Sequence, residues 1–166
     1  MTVYTTMDSP LGRLLLVGEE STTAKGGTAL AALSVPDQKY GAVVQTGWRE
    51  DADAFREIVA QLSSYFDGRL TAFDIEYVTS GSDFQRRVWK ALETIPYGTT
   101  VSYGEVAARI GASRAAVRAV GTAIGANPLL IVRPCHRVIG ASGALTGYAG
   151  GLERKRQLLD LEDVPS

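Results

Sequence analysis

The chain contains one cysteine and one histidine in 166 residues. A lone cysteine excludes an internal disulfide, and one cysteine with one histidine excludes a thiolate–imidazole zinc centre. The thiol is therefore expected to be free, in a reducing compartment such as the cytoplasm. No apolar run approaches the roughly 20 residues of a transmembrane helix, so no membrane partner is expected. The opening stretch MTVYTTMDSP lacks the basic-then-apolar order of a signal peptide. Internal repeats and low-complexity tracts are also missing. What is present, 45% hydrophobic and 21% charged residues, describes an ordinary globular protein. Its length suits one large domain or two small ones.

The net charge of −1 is unevenly spread. Residues 1–83 carry 6 basic and 12 acidic side chains, and residues 84–166 carry 11 basic and 6 acidic ones. A basic half favours a polyanionic partner, although uneven surface charge also arises by chance.

The two halves differ in pattern as well. GRLLLVG (12–18), TALAALSV (28–35), YGAVVQTGW (40–48) and FDIEYV (73–78) read as short strands bounded by Gly, Pro and polar residues. A helix is expected from near Asp53, with Phe55, Ile58, Val59, Leu62 and Phe66 on one stripe and Gly68 as its stop. TSGSD (79–83) reads as a linker, dividing the chain into domains 1–78 and 79–166. Beyond it, Ser82 with Gln85 and Ser102 with Glu105 form capping boxes opening two helices. Phe84, Val88 and Leu92 share a face of the first helix; Tyr103, Val106, Ala107 and Ile110 form the stripe of the second. Gly111 ends that second helix, and Ser113 can cap a third, on which Val117, Val120 and Ile124 face one way.

Ala107, Gly111 and Val117 have the spacing of a helix-turn-helix. The small residue lets the helices approach, the glycine turns the chain, and the β-branched residue packs between them. Arg114 and Arg118 then stand where base or phosphate contacts are usual, although a solvated helix face reads the same way.

The cysteine and the histidine are adjacent, Cys135 and His136, in RPCHRVIG. A thiol of ordinary pKa is mostly protonated at neutral pH, so a nucleophilic cysteine needs a base, and histidine is the usual one. Neighbours in an extended chain point to opposite sides. A pair acting together therefore needs a turn, a helix start or a bridging water.

The stretch NPLLIVRPCHRVIGASGALTGYAGGLERKRQLLDLE resembles the O6-alkylguanine-DNA alkyltransferases, and so do SDFQRRVWKALETIPYGTTVSYGEVAARIG, RAVG, YFDG and TTMDSPLGRLLL. The resemblance covers nearly the whole chain, most firmly from about residue 80. It implies an α+β fold: a small N-terminal sheet-plus-helix domain of ribonuclease H-like type, then a mostly helical domain with a winged helix-turn-helix. It implies repair without turnover, in which the alkyl group of O6-alkylguanine, and less securely of O4-alkylthymine, passes to Cys135 and inactivates the protein.

By the same resemblance His136 takes the thiol proton through a water and Glu162 orients the imidazole. Asn127 braces the active-site turn, and Tyr103 donates to guanine N3. Tyr148 lines the base pocket, the Ala149 N–H reaches O6, and the carbonyls of Cys135 and Val138 read the guanine amino group. Arg118 fills the space left by the rotated base. No cofactor and no metal are implied. The partner is double-stranded DNA containing alkylated guanine, met by a monomer; clustering along DNA is left open.

Two departures stand out. The turn between Gly111 and Arg118 is one residue longer than the commonest pattern, which makes Arg114 the alternative for the base-replacing arginine. Arg133 stands where an aliphatic residue is frequent. Two other readings remain: a DNA-binding module without chemistry, which Cys135 argues against, and a cysteine hydrolase using Cys135 and His136.

Overall fold

The computed structural model describes residues 1–165 and divides the chain into two compact units, residues 1–79 and residues from 80 onward. Ser166, the last residue assigned to the second domain, lies outside the described residues.

The first unit is a four-stranded sheet with one helix. β1 (Thr2–Ser9) and β2 (Gly12–Glu20) form an antiparallel hairpin, β3 (Thr28–Ser34) adds antiparallel to β2, and β4 (Arg49–Glu50) pairs parallel to β1, giving the order β3-β2-β1-β4. The hairpin closes through Pro10 and Leu11, with Ser9 Oγ accepting from the Leu11 N–H at 3.1 Å. At the β2 bulge next to Val17, a Cβ on Gly18 would sit 2.6 Å from Thr28 Cγ2, so β3 can approach only a residue without a side chain. α1 (Arg56–Phe66) follows a 3-10 turn at Ala52–Phe55 and buries Ile58, Leu62 and Tyr65. Together with Val3, Leu14, Leu16, Leu30, Leu33 and Phe55 these side chains form the core of this unit; each contributes about 1.5–3 kcal/mol by leaving water.

Two expectations for this half need correction, and one strand went unread. Residues 2–9 form a full strand that was not foreseen, because its alternation of threonine with apolar residues is weak. YGAVVQTGW forms no strand up to Trp48: it is a loop in which Tyr40 is 92% exposed with φ +61°, and Gly47 has φ +94°. Left-handed residues cannot continue a ladder, and the apolar run meets no partner surface. FDIEYV contributes only an isolated bridge between Tyr77 and Leu30, with Leu30 N–H bonding Glu76 O at 2.8 Å.

The second unit is mostly helical: α2 (Asp83–Leu92), α3 (Tyr103–Arg109), α4 (Val117–Gly125) and α5 (Leu152–Leu161), with a short parallel pairing of β5 (Val101–Ser102) and β6 (Val138–Ile139). Both capping boxes form. Ser82 Oγ accepts from Gln85 N–H at 3.1 Å while Gln85 Oε1 accepts from Ser82 N–H at 3.0 Å, and Ser102 and Glu105 repeat the exchange. α3 and α4 pack as the helix-turn-helix: Ala107 is buried at the contact, Gly111 turns at φ +72°, and Val120, Ala123 and Ile124 form the inner face of α4. Ser113 makes no side-chain cap, because α4 opens with a 3-10 turn at Arg114–Ala116 that a backbone bond from Ala116 N–H to Ser113 O closes. The Trp89 indole N–H donates to Ala123 O at 2.8 Å and ties α2 to α4. Among the described residues, no helix is long and apolar enough to cross a membrane.

Candidate active site

Between α4 and β6 the chain goes inside: residues 127 and 129–138 are all buried. Their backbone cannot reach water, so its polar groups must be paired locally. Val132 N–H bonds Leu130 O at 2.8 Å around Ile131, held at φ +72°. That is a γ-turn of the strained hand, costing about 1–3 kcal/mol in a β-branched residue. Cys135 N–H then bonds Arg133 O at 2.7 Å around Pro134, whose φ −78° and ψ 63° match the favourable γ-turn. Asn127 braces the first turn. Its Oδ1 accepts from Leu129 N–H at 3.0 Å, and its Nδ2 donates to Leu129 O at 3.2 Å and Arg133 O at 3.1 Å.

These turns deliver Cys135 and His136 into one 3-10 turn, Cys135–Arg137, closed by Arg137 N–H to Pro134 O at 3.0 Å. The imidazole does not bond the thiol directly. His136 Nε2 meets Glu162 Oε2 at 2.8 Å, and its Nδ1 is buried with no hydrogen-bond partner among the described residues.

Glu162, only 2% exposed, sits at the end of α5 and is held from three sides. Arg137 clamps it bidentately, Nε to Oε1 at 2.8 Å and Nη2 to Oε2 at 3.0 Å, and the Gly98 N–H donates to Oε1 at 3.1 Å. Arg137 also donates to Ile95 O at 2.7 Å and lies 5.7 Å over the Tyr97 ring. A carboxylate facing a guanidinium stays ionised and can only accept hydrogen bonds. The Nε2 of His136 must therefore carry the hydrogen, which leaves Nδ1 with its lone pair, the atom of a base.

Burial pushes the Cys135 thiol up, partly opposed by the Asn127 amide and the positive charges of Lys155 and Arg133. Burial pushes the His136 imidazole down, against the pull of Glu162. At neutral pH the pair thus rests as thiol and free base. A thiolate at Cys135 would gain from Lys155 and Asn127, and an imidazolium at His136 from Glu162.

Lys155 completes the centre. It is fully buried on α5, and its Nζ donates to Val138 O at 2.6 Å, Thr146 O at 2.7 Å and Gly147 O at 3.3 Å. Burial lowers its pKa to about 8, with the Cys135 thiolate pulling the other way. Through Thr146 it reaches Tyr103, whose hydroxyl donates to Thr146 O at 3.2 Å. Replacing Lys155 with methionine leaves three carbonyls without their donor and should cost about 2–3 kcal/mol of stability by denaturant unfolding. Limited proteolysis should then cut first within 140–151; a variant of unchanged midpoint and cleavage pattern would contradict this role. The unfolded chain holds this proton to about pH 10.4, so unfolding takes up a proton between about pH 8 and that value. The contribution of Lys155 to stability accordingly rises with pH across that window, and the variant lacks that slope.

Of the residues singled out from sequence, Cys135, His136, Glu162, Asn127 and Val138 share this buried network, and Tyr103 joins it through Thr146. Tyr148 and Ala149 are half-buried on the loop that Lys155 fastens at Thr146 and Gly147. Arg114 and Arg118 are exposed on the helix-turn-helix. Arg137 and Lys155 were missed. The signal for Lys155 was its place at i of an i, i+3, i+4, i+7 stripe with Leu158, Leu159 and Glu162, two charges on a face that is otherwise apolar.

A helix-turn-helix in one unit with a buried cysteine and a buried histidine–glutamate pair defines a DNA-binding protein with an enclosed thiol centre. Residues 2–78 match the model of the 6-O-methylguanine DNA methyltransferase ribonuclease-like domain, and residues 83–164 match that of the DNA binding domain of the same family. A methylated-DNA–protein-cysteine methyltransferase of Mycolicibacterium paratuberculosis is 57% identical over 98% of this chain and 93% of its own. One from Methanosarcina acetivorans is 45% identical over 96% of this chain and 97% of its own. The Mycobacterium tuberculosis OGT solved in complex with DNA superimposes with a TM-score of 0.86 at 54% identity, covering 97% of this chain and 93% of that one. The chain belongs to the 6-O-methylguanine DNA methyltransferase family. The expected α+β class, with a ribonuclease-like domain ahead of a helical DNA-binding domain, matches these findings.

Proposed function

We infer that this protein repairs double-stranded DNA by moving the alkyl group of O6-alkylguanine to its own Cys135, once per molecule. The observation that carries this reading is the Glu162–His136 bond of 2.8 Å, which leaves Nδ1 as the basic atom on the residue next to the only cysteine of the chain.

The chain binds the duplex through α3 and α4 and rotates the damaged base out of the stack. Arg118 fills the gap, with Arg114 as the alternative. Extrusion costs a few kcal/mol, least where O6 alkylation has already weakened the pairing. The base then lies against Tyr148, with the Ala149 N–H at O6 and the carbonyls of Cys135 and Val138 at the amino group. Val138 O already accepts from Lys155 and Cys135 O from the Val138 N–H, and each keeps a second lone pair.

His136 Nδ1 takes the thiol proton through a water. The Cys135 sulfur forms a bond to the alkyl carbon as the carbon–O6 bond breaks, and the electron pair leaves with the guanine. Tyr103 donates to N3 as charge develops on the leaving base. The product is a thioether, which this site offers no means of cleaving, so the cycle stops. A nucleophile that must stay reduced suits the cytoplasm.

Incubation with a duplex containing O6-methylguanine, followed by weighing the intact protein, tests the reading. One methyl group per chain, mapped to Cys135, is the expected result. Unchanged mass with continuing loss of the lesion would refute it, and tight binding without transfer would leave only a DNA-binding module.

A further inference from the structure

Arg133, where an aliphatic residue was expected, does not point to solvent: the residue is 7% exposed. Its Nε donates to Glu93 Oε2 at 3.1 Å, its Nη1 to Asn127 Oδ1 at 3.4 Å, and its guanidinium lies 5.0 Å over the Trp89 ring. One side chain therefore joins α2 to the turn that carries the thiol. Its partner Glu93 is partly open to water, so the pair keeps part of its hydration and avoids the full cost of a buried ion pair.

The consequence lies in Asn127. A carboxamide has an accepting end and a donating end of nearly equal size. A guanidinium only donates. Facing Asn127, Arg133 admits one orientation, with Oδ1 toward itself and toward the Leu129 N–H. Nδ2 is then committed to the other side, where it meets the carbonyls of Leu129 and Arg133, and it is from this side that the amide favours the charged form of the Cys135 thiol. The reversed amide would set a carbonyl dipole against the forming thiolate.

We propose that Arg133 is a positioning residue for the Cys135 nucleophile, locking the Asn127 amide in the orientation that presents its N–H groups to the active-site turn and the sulfur. The proposal rests on the reading of Cys135 as the nucleophile. An aliphatic residue at 133 fills the space over Trp89 but exerts no such lock. The amide is then oriented by the backbone of residues 129 and 133 alone.

Because Cys135 is the only thiol, its reaction with iodoacetamide can be followed by intact mass at each pH without DNA. Methyl transfer from an O6-methylguanine duplex is measured beside it. Arg133→Leu should slow both reactions about tenfold at neutral pH and move the midpoint of the iodoacetamide profile up by about one pH unit, since one hydrogen bond to a developing charge is weakened. Arg133→Lys, which keeps a donor toward Asn127, should bring the midpoint back most of the way. In an Asn127→Ala background, Arg133→Leu should add less than about twofold, because only the weaker direct pull of its charge on the thiol then remains.

A midpoint that stays in place, or full multiplication of the two single effects, overturns the proposal. Should the leucine variant fail to fold, Arg133→Gln decides: it can still bond Glu93 but offers Asn127 both a donor and an acceptor. Its midpoint should also rise, and an unmoved midpoint counts against the lock. A moved iodoacetamide profile in a protein whose wild type transfers no methyl group would refute the repair reading and leave this inference standing. Transfer to Cys135 with an unmoved profile would do the reverse.

Discussion

Cys135→Ala abolishes alkyl transfer while leaving duplex affinity within about twofold, since affinity for DNA comes mainly from contacts to phosphate and sugar. Lesion assays should show no methyl group on the protein at any incubation time, and fluorescence anisotropy should show the unchanged affinity. The physical ground is that no other group can replace the sulfur. The chain has no second thiol, and its only imidazole is already committed to Glu162. The substitution itself is gentle: Cys135 is 4% exposed, and losing one sulfur atom there costs about 1 kcal/mol, so the variant folds. Residual methylation of the alanine variant would remove Cys135 from its role. Loss of DNA binding along with transfer would mean that the thiol region also supports the DNA-binding helices.

Glu162→Gln should harm both the fold and the reaction. Its carboxylate compensates Arg137, which has 7% of its side chain exposed and no other carboxylate among its described partners. A neutral amide leaves that guanidinium buried without a counter-charge, at a cost of about 3–5 kcal/mol. The amide can also donate toward His136, which permits the hydrogen on Nδ1 and removes the base. Losing a positioned base typically costs about 10²–10⁴ in rate. Single-turnover transfer rates and denaturant unfolding measure the two effects separately. A glutamine variant of near-normal rate would show that the imidazole needs no ionised partner.

The histidine also sets the acid limb. Burial holds its pKa below the ordinary value of about 6.5. The folded protein therefore binds this proton later than the unfolded chain does as pH falls. Stability from the neutral imidazole is complete above about pH 6.5 and is lost as pH drops below it. The transfer rate should stay level through that value and decline only further down, in the wild type but not in a protein whose His136 is replaced.

Legibility followed sequence distance. The capping boxes at Ser82 and Ser102 were readable because each is an exchange between residues three apart, complete before any tertiary contact forms. The helix-turn-helix was readable for the same reason, from a small residue, a glycine and a β-branched residue at set spacings. The start of α4 was less so: Ser113 was read as a side-chain cap, and a backbone 3-10 turn supplied the bond instead. YGAVVQTGW misled because β-propensity rewards a surface to pack on, and that stretch has none. Thr2–Ser9 went unseen for the converse reason: its pattern is faint, and its pairing with β2 makes it a strand.

The sequence by itself determined the chemistry available: one thiol and one imidazole beside it, with a proline that presets the backbone next to Cys135. Tertiary structure alone decided how that chemistry is poised. Glu162 lies 26 residues from His136, Glu93 lies 40 from Arg133, and Val138 lies 17 from Lys155. No local spacing encodes those meetings. Each charged group is tolerated inside only where folding brings its partner to it, and burial then fixes which atom holds the proton.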